Sequence, residues 1–169
     1  MKLLLLLIVL IAQSTVSAHS LYYAIGESTA KDRSDTQKLG LIFNPPTNIG
    51  LLERNNLYLT LDVSAASWQN LYGPDLKTGA LIPMFNYPLR QQDQWWFIKF
   101  GIGAAYVDQT RWGNRRLGSN WMFEDKLEVG LRANPNHQIA LSFSHYSNAN
   151  TNKYNDGLNI ISLLYQYNW

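Results

Sequence analysis

Trp121-Met122-Phe123-Glu124-Asp125-Lys126-Leu127-Glu128-Val129-Gly130-Leu131-Arg132 is the stretch that decides the fold. Its side chains alternate along an extended chain. Phe123, Leu127, Val129 and Leu131 fall on one face, and Glu124, Lys126, Glu128 and Arg132 on the other. A soluble barrel would bury the apolar column and expose the charged one. A membrane barrel does the reverse, with lipid outside and a packed polar interior. Charges of opposite sign on one face can pair inside a narrow barrel, where isolated charges are costly.

Outward from this stretch the same period of two recurs. Leu57, Leu59, Leu61 and Val63 oppose Tyr58, Thr60, Asp62 and Ser64. Trp96, Ile98, Phe100 and Ile102 oppose Lys99, Gly101 and Gly103, while Ile161, Leu163, Tyr165, Tyr167 and Trp169 oppose Ser162, Gln166 and Asn168. Eight strands are expected: Ser20–Glu27, Gln37–Asn44, Leu57–Trp68, Ala80–Pro88, Trp95–Val107, Trp121–Asn134, Gln138–Asn148 and Leu158–Trp169. Turn-rich connections such as Tyr72-Gly73-Pro74-Asp75 and Asn134-Pro135-Asn136 separate them. Segments near ten residues suit a tilted membrane crossing. Trp68, Tyr87, Trp95, Trp121 and Trp169 stand at strand ends, as interfacial aromatic girdles do. The last strand also ends on an aromatic residue, which resembles the terminal signal of bacterial outer-membrane proteins.

The N-terminus supports export. Lys2 supplies a positive start, Leu3 to Ala12 an apolar core, and Val16-Ser17-Ala18 a small-residue cleavage site. Residues 1–18 are therefore expected to be a signal peptide and residues 19–169 one barrel domain. The chain carries 14 Lys and Arg against 12 Asp and Glu, too balanced for a nucleic-acid partner. It has no cysteine, which excludes disulfides, thiolate metal sites and cysteine catalysis. A mean hydropathy of −0.21 and one long apolar run argue against a helical membrane protein but not against a barrel. The expected fold is an all-β, eight-stranded antiparallel outer-membrane barrel that follows a cleaved signal peptide.

With both termini periplasmic, the connections after the first, third, fifth and seventh strands are extracellular. His145 and Ser147 then lie at the outer end of the seventh strand. They share the lipid-facing column of Ile139, Leu141 and Phe143. Two residues apart on an extended chain, they are spaced about 7 Å along it, and the imidazole can reach the hydroxyl. A hydroxyl and an imidazole at the acyl-chain depth of the outer leaflet point to a lipid substrate. His19 and His137 have no neighbouring acidic cluster in sequence, so no metal site is expected, and no cofactor is implied. There is no Gly-x-Ser-x-Gly elbow and no phosphate-cradling glycine loop.

His145-Tyr146-Ser147-Asn148-Ala149, then Asn155-Asp156-Gly157 and a final aromatic strand, resembles the PagL lipid A 3-O-deacylase family. Leu117-Gly118-Ser119 followed by Phe123-Glu124-Asp125 and Gly130 is similar to the same family. The resemblance spans about Leu117 to Trp169. It implies a serine esterase that removes the 3-O-linked acyl chain of lipid A in the lipopolysaccharide of the outer leaflet. By the same resemblance Ser147 is the nucleophile and His145 the general base, while the Asn148 N–H and the Asn155 side chain stabilise the oxyanion.

One position departs from the family. Its third triad member, a Glu, aligns with Asn159. The expected pairing sets Ser147 opposite Asn159 and His145 near Ile161. Three outcomes stand open: a working Ser-His-Asn site, a replacement acid, or a structural or adhesin-like barrel whose site has decayed. Asp156 is the nearest replacement by sequence, whereas Glu124 and Glu128 face the interior. Arg115-Arg116 is either a contact for lipopolysaccharide phosphates or a solvated loop pair. A soluble ligand-binding barrel and a homodimer of membrane barrels also remain open at this level.

Overall fold

Alternation converts directly into a closed barrel. The computed structural model describes residues 18–29, 34–46, 49–70, 73–89 and 95–169, so the expected signal peptide lies outside it apart from Ala18. The wall consists of β1 (Ala18–Ser28), β2 (Asp35–Phe43), β3 (Tyr58–Trp68), β4 (Leu76–Pro88), β5 (Trp96–Val107), β8 (Trp121–Asn134), β9 (His137–Ser147) and β10 (Leu158–Asn168). Each strand pairs antiparallel with its neighbours along the chain, and β10 returns to β1 to close the sheet. Closure removes the free edges that an open sheet would leave in lipid.

Three elements went unpredicted. A short helix, α1 (Gly50–Arg54), sits in the connection between β2 and β3. The two-residue strands β6 (Arg111–Trp112) and β7 (Arg115–Arg116) form a small hairpin in the connection between β5 and β8. β4 begins at Leu76 rather than Ala80, with Trp68 paired to Leu76 and Ser67 to Lys77. These pieces carry no hydrophobic period to read.

The barrel is apolar outside and polar inside. Leu141 keeps 62% of its surface, and Ile102, Ile161, Leu163, Phe123 and Leu127 are likewise exposed, whereas Lys126 keeps 3%. Leu59 departs from its column and is buried at the start of β3, where Leu57 N–H donates to the Leu52 carbonyl of α1 and folds the chain back.

Inside, Lys126 Nζ lies 2.7 Å from Asp62 and 2.8 Å from Glu128. Lys99 lies 3.5 Å from Glu128 and donates to Gln166 at 2.8 Å. Lys38 pairs with Glu124, which also accepts from Ser144 at 2.7 Å. The expected interior pairing is therefore present, and it ties six strands together across the lumen. Such a network is tolerable because every charge meets an opposite one.

Above the charges, at the outer end, Trp68, Leu76, Trp112, Leu117, Tyr146 and Leu158 close the lumen with a buried apolar layer. Trp68 corrects an expectation: it is fully buried, 5.3 Å from the Tyr146 ring and 5.9 Å from Trp112. The reason is parity, since Trp68 shares the inward column of Asp62, Ser64 and Ala66. Tyr87, Trp95, Trp121 and Trp169 are exposed, as girdle residues should be. Where β1 begins and β10 ends, Trp169 N–H donates to the His19 carbonyl.

Candidate active site

β8, β9 and β10 lie side by side, and their outer ends carry the candidate residues. His145 and Ser147 both face outward on β9, half-buried, above Phe143 and Leu141. In the ladder His145 stands opposite Asn159 of β10, and Ile161 stands opposite Phe143. The expected pairing of Ser147 with Asn159 is thus wrong by two residues, although the face is right. The correct register puts the two side chains in contact: His145 Nδ1 and Asn159 Oδ1 are 2.6 Å apart. An amide oxygen only accepts, so Nδ1 carries the proton and Nε2 is left with its lone pair.

After Ser147 the chain leaves the sheet through Asn148, Ala149 and Asn150, the last two with positive φ (52° and 58°). Asn148 anchors this exit. Its Nδ2 donates to the carbonyls of Leu117 (2.8 Å) and Tyr154 (2.6 Å), and Thr151 caps its own carbonyl. Asn155 returns toward it: the Asn148 N–H donates to Asn155 Oδ1 at 2.9 Å, while Asn155 Nδ2 donates to Asn150 Oδ1 at 3.1 Å. The two expected oxyanion donors are therefore brought together but face each other. The loop closes through Gly157 at φ +56°, where an added Cβ would stand 3.3 Å from His145 Cε1. Glycine is needed there both for the left-handed backbone and for the space beside the imidazole.

The β6–β7 hairpin buttresses this loop. Arg115 Nη1 donates to the carbonyls of Asp156 (3.1 Å) and Gly157 (2.6 Å). The Arg116 N–H donates to the Asp156 carboxylate at 2.7 Å, and its guanidinium lies 3.7 Å from the same group and 4.3 Å from the Tyr154 ring. Arg115 thus supports the loop from a half-buried position, while Arg116 supports it from the solvated surface. Asp156, offered as the replacement acid, is spent on Arg116 instead of reaching His145. Glu124 and Glu128 point inward, as expected, and are bound to lysines.

Sequence reasoning missed Asp125. It stands directly opposite His145 on the other side, in the β8–β9 ladder, and is half-buried on the outward face between Phe123 and Leu127. Parity within its own strand would have placed it there, since Phe123 and Leu127 were already assigned to that face. Asp125 itself borders a mostly apolar groove of about 360 Å³ on the outer wall, lined also by Phe85, Phe100, Ile102, Leu127 and Phe143 and reached by Lys126. Together these residues set a hydroxyl and an imidazole two positions apart on one outward face, at the lip of an apolar track.

Comparison with known proteins identifies the family and the fold. A family profile described as Lipid A 3-O-deacylase (PagL) matches residues 52–168. The lipid A deacylase PagL of Bordetella bronchiseptica is 31% identical over 92% of this chain and 85% of its own length. The protein of the same name from Pseudomonas aeruginosa is 37% identical over 50% of this chain and 49% of its own. Among solved structures, the crystal structure of the outer membrane enzyme PagL superposes with a TM-score of 0.75 at 27% identity, covering 89% of this chain and 99% of that one. Neisserial surface protein A superposes with a TM-score of 0.51 at 12% identity, over 92% of this chain and all of its own, a likeness of fold alone.

Proposed function

This chain belongs to the PagL family of lipid A 3-O-deacylases, and on that premise we propose that Ser147, His145 and Asn159 perform the hydrolysis. The protein is an ester hydrolase of the Gram-negative outer membrane that removes the 3-O-linked acyl chain of lipid A. The observation that carries the residue assignment is the 2.6 Å contact between His145 Nδ1 and Asn159 Oδ1, with Ser147 two residues along the same outward face.

Lipid A reaches this face by lateral diffusion in the outer leaflet, with its acyl chains against Phe143, Leu127 and the groove below. Ser147 Oγ attacks the ester carbonyl as His145 Nε2 takes its proton, and the tetrahedral intermediate holds the negative charge on the former carbonyl oxygen. Asn155 then turns its amide so that Nδ2, and the Asn148 N–H it releases, both donate to that oxygen. The intermediate collapses, the C–O bond to the sugar breaks, and His145 returns its proton to the leaving sugar oxygen. Water, deprotonated by His145, releases the fatty acid from Ser147 in the same two steps. Asn159 holds the imidazole in the useful tautomer throughout but brings no charge to the imidazolium. In the serine-protease template an Asp-to-Asn change at that position costs about 10⁴ in turnover. The assigned residues all lie on one chain, on β9, β10 and the loop between them.

Mass spectrometry of lipid A from cells that express this chain tests the assignment. One 3-hydroxyacyl chain is lost with the native protein and retained with Ser147→Ala or His145→Ala. Deacylation by both variants would overturn the assigned pair.

A further inference from the structure

We propose that Asp125 is a positioning residue that supplies His145 with the negative charge Asn159 lacks. The inference rests on the assignment of His145 as base and concerns what stabilises its charged form. Asp125, His145 and Asn159 form one row across β8, β9 and β10, each directly opposite the next in the ladder. Residues so opposed hold their Cβ atoms about 5 Å apart. His145 is therefore flanked in its own row by an amide on one side and a carboxylate on the other.

The surroundings of Asp125 give it little else to do within the protein. It is half-buried on the lipid-facing wall between Phe123 and Leu127, where a carboxylate is costly unless it serves a function. The nearby acids are already committed: Glu124 to Lys38, Glu128 to Lys126 and Lys99, and Asp156 to Arg116. Among the described residues no lysine or arginine pairs with Asp125. The cation that arises beside it is the His145 imidazolium, formed when Ser147 gives up its proton. Two roles that one Glu would combine are divided here. Asn159 fixes the tautomer through Nδ1, and Asp125 acts through space on the positive ring. Partly exposed charges separated by about this Cβ spacing interact enough to change a rate on the order of ten-fold.

The test is a cycle of four full-length barrels, purified and refolded, assayed for kcat and KM on lipid A. Native protein and Ser147→Ala run alongside, and heat-dependent gel mobility confirms folding. Asp125→Asn alone is expected to lower kcat about ten-fold with KM little changed, and Asp125→Glu to retain most of the rate. Asn159→Glu is expected to raise kcat, and in that background Asp125→Asn should cost less than about two-fold, because the second acid now serves the imidazolium. An unchanged kcat in Asp125→Asn overturns the proposal. An equal loss in both backgrounds also overturns it, and would assign Asp125 to the substrate instead. Full activity in Ser147→Ala would refute the underlying site rather than the role of Asp125, so the two failures are distinguishable.

Discussion

Replacing Arg115 with Ala removes the clamp between the β6–β7 hairpin and the loop that carries Asn155 and Gly157. The guanidinium donates to two backbone carbonyls, those of Asp156 at 3.1 Å and Gly157 at 2.6 Å. Hydrogen bonds from a charged group contribute about 1.5–3 kcal/mol each, but Arg115 is only half-buried, so water recovers a good part of the loss. A net weakening of about 2 kcal/mol remains, equivalent to roughly thirty-fold if the loop must be closed in the transition state. Because no barrel strand loses a ladder bond, the cost should fall on the loop. The expected outcome is a kcat ten- to thirty-fold lower in detergent-solubilised enzyme, with an unchanged denaturant midpoint for the barrel. Arg115→Lys, a point charge with no fork, should recover only part of the rate. A kcat within about two-fold of the native value, as for an ordinary surface substitution, would refute the buttressing role.

Two further substitutions probe the interior and the loop closure. Lys126→Met leaves Asp62 and Glu128 facing each other with their shared cation gone. It should destabilise the barrel by about 3–5 kcal/mol, read as a lower denaturant midpoint by tryptophan fluorescence; an unchanged midpoint would mean the network is not held by this lysine. Gly157→Ala places a Cβ at φ +56°, 3.3 Å from the His145 ring. The backbone penalty alone is about 1–2 kcal/mol, so activity should fall several-fold while the barrel stays folded; full activity would show that the imidazole has room to move.

Strand identity and orientation were legible because each strand has two chemically different faces. The Phe123 column against the Glu124 column announced an inside-out barrel, and His145 and Ser147 could be set on the lipid side by counting. The motif shared with the PagL family then named the chemistry. Trp68 shows the limit of composition without parity: read as a girdle residue from its place at a strand end, it is an interior plug because it follows Ala66 on the inward column. The β6–β7 hairpin was invisible because two-residue strands carry no period, and its purpose is to hold another loop.

By itself, then, the sequence determined the fold class, the face that meets lipid, and the strand face shared by the pair proposed for the chemistry, all properties of one strand at a time. Register is a property of two strands and is decided by turn geometry and closure, which the hydrophobic period leaves free in steps of two. Only the closed barrel set Asn159 opposite His145 rather than opposite Ser147, turned Asp156 toward Arg116, and brought Asp125 of β8 into the same row. A two-residue slip preserves every apolar face and changes every neighbour, so the identity of the acid beside the histidine could come only from the tertiary structure.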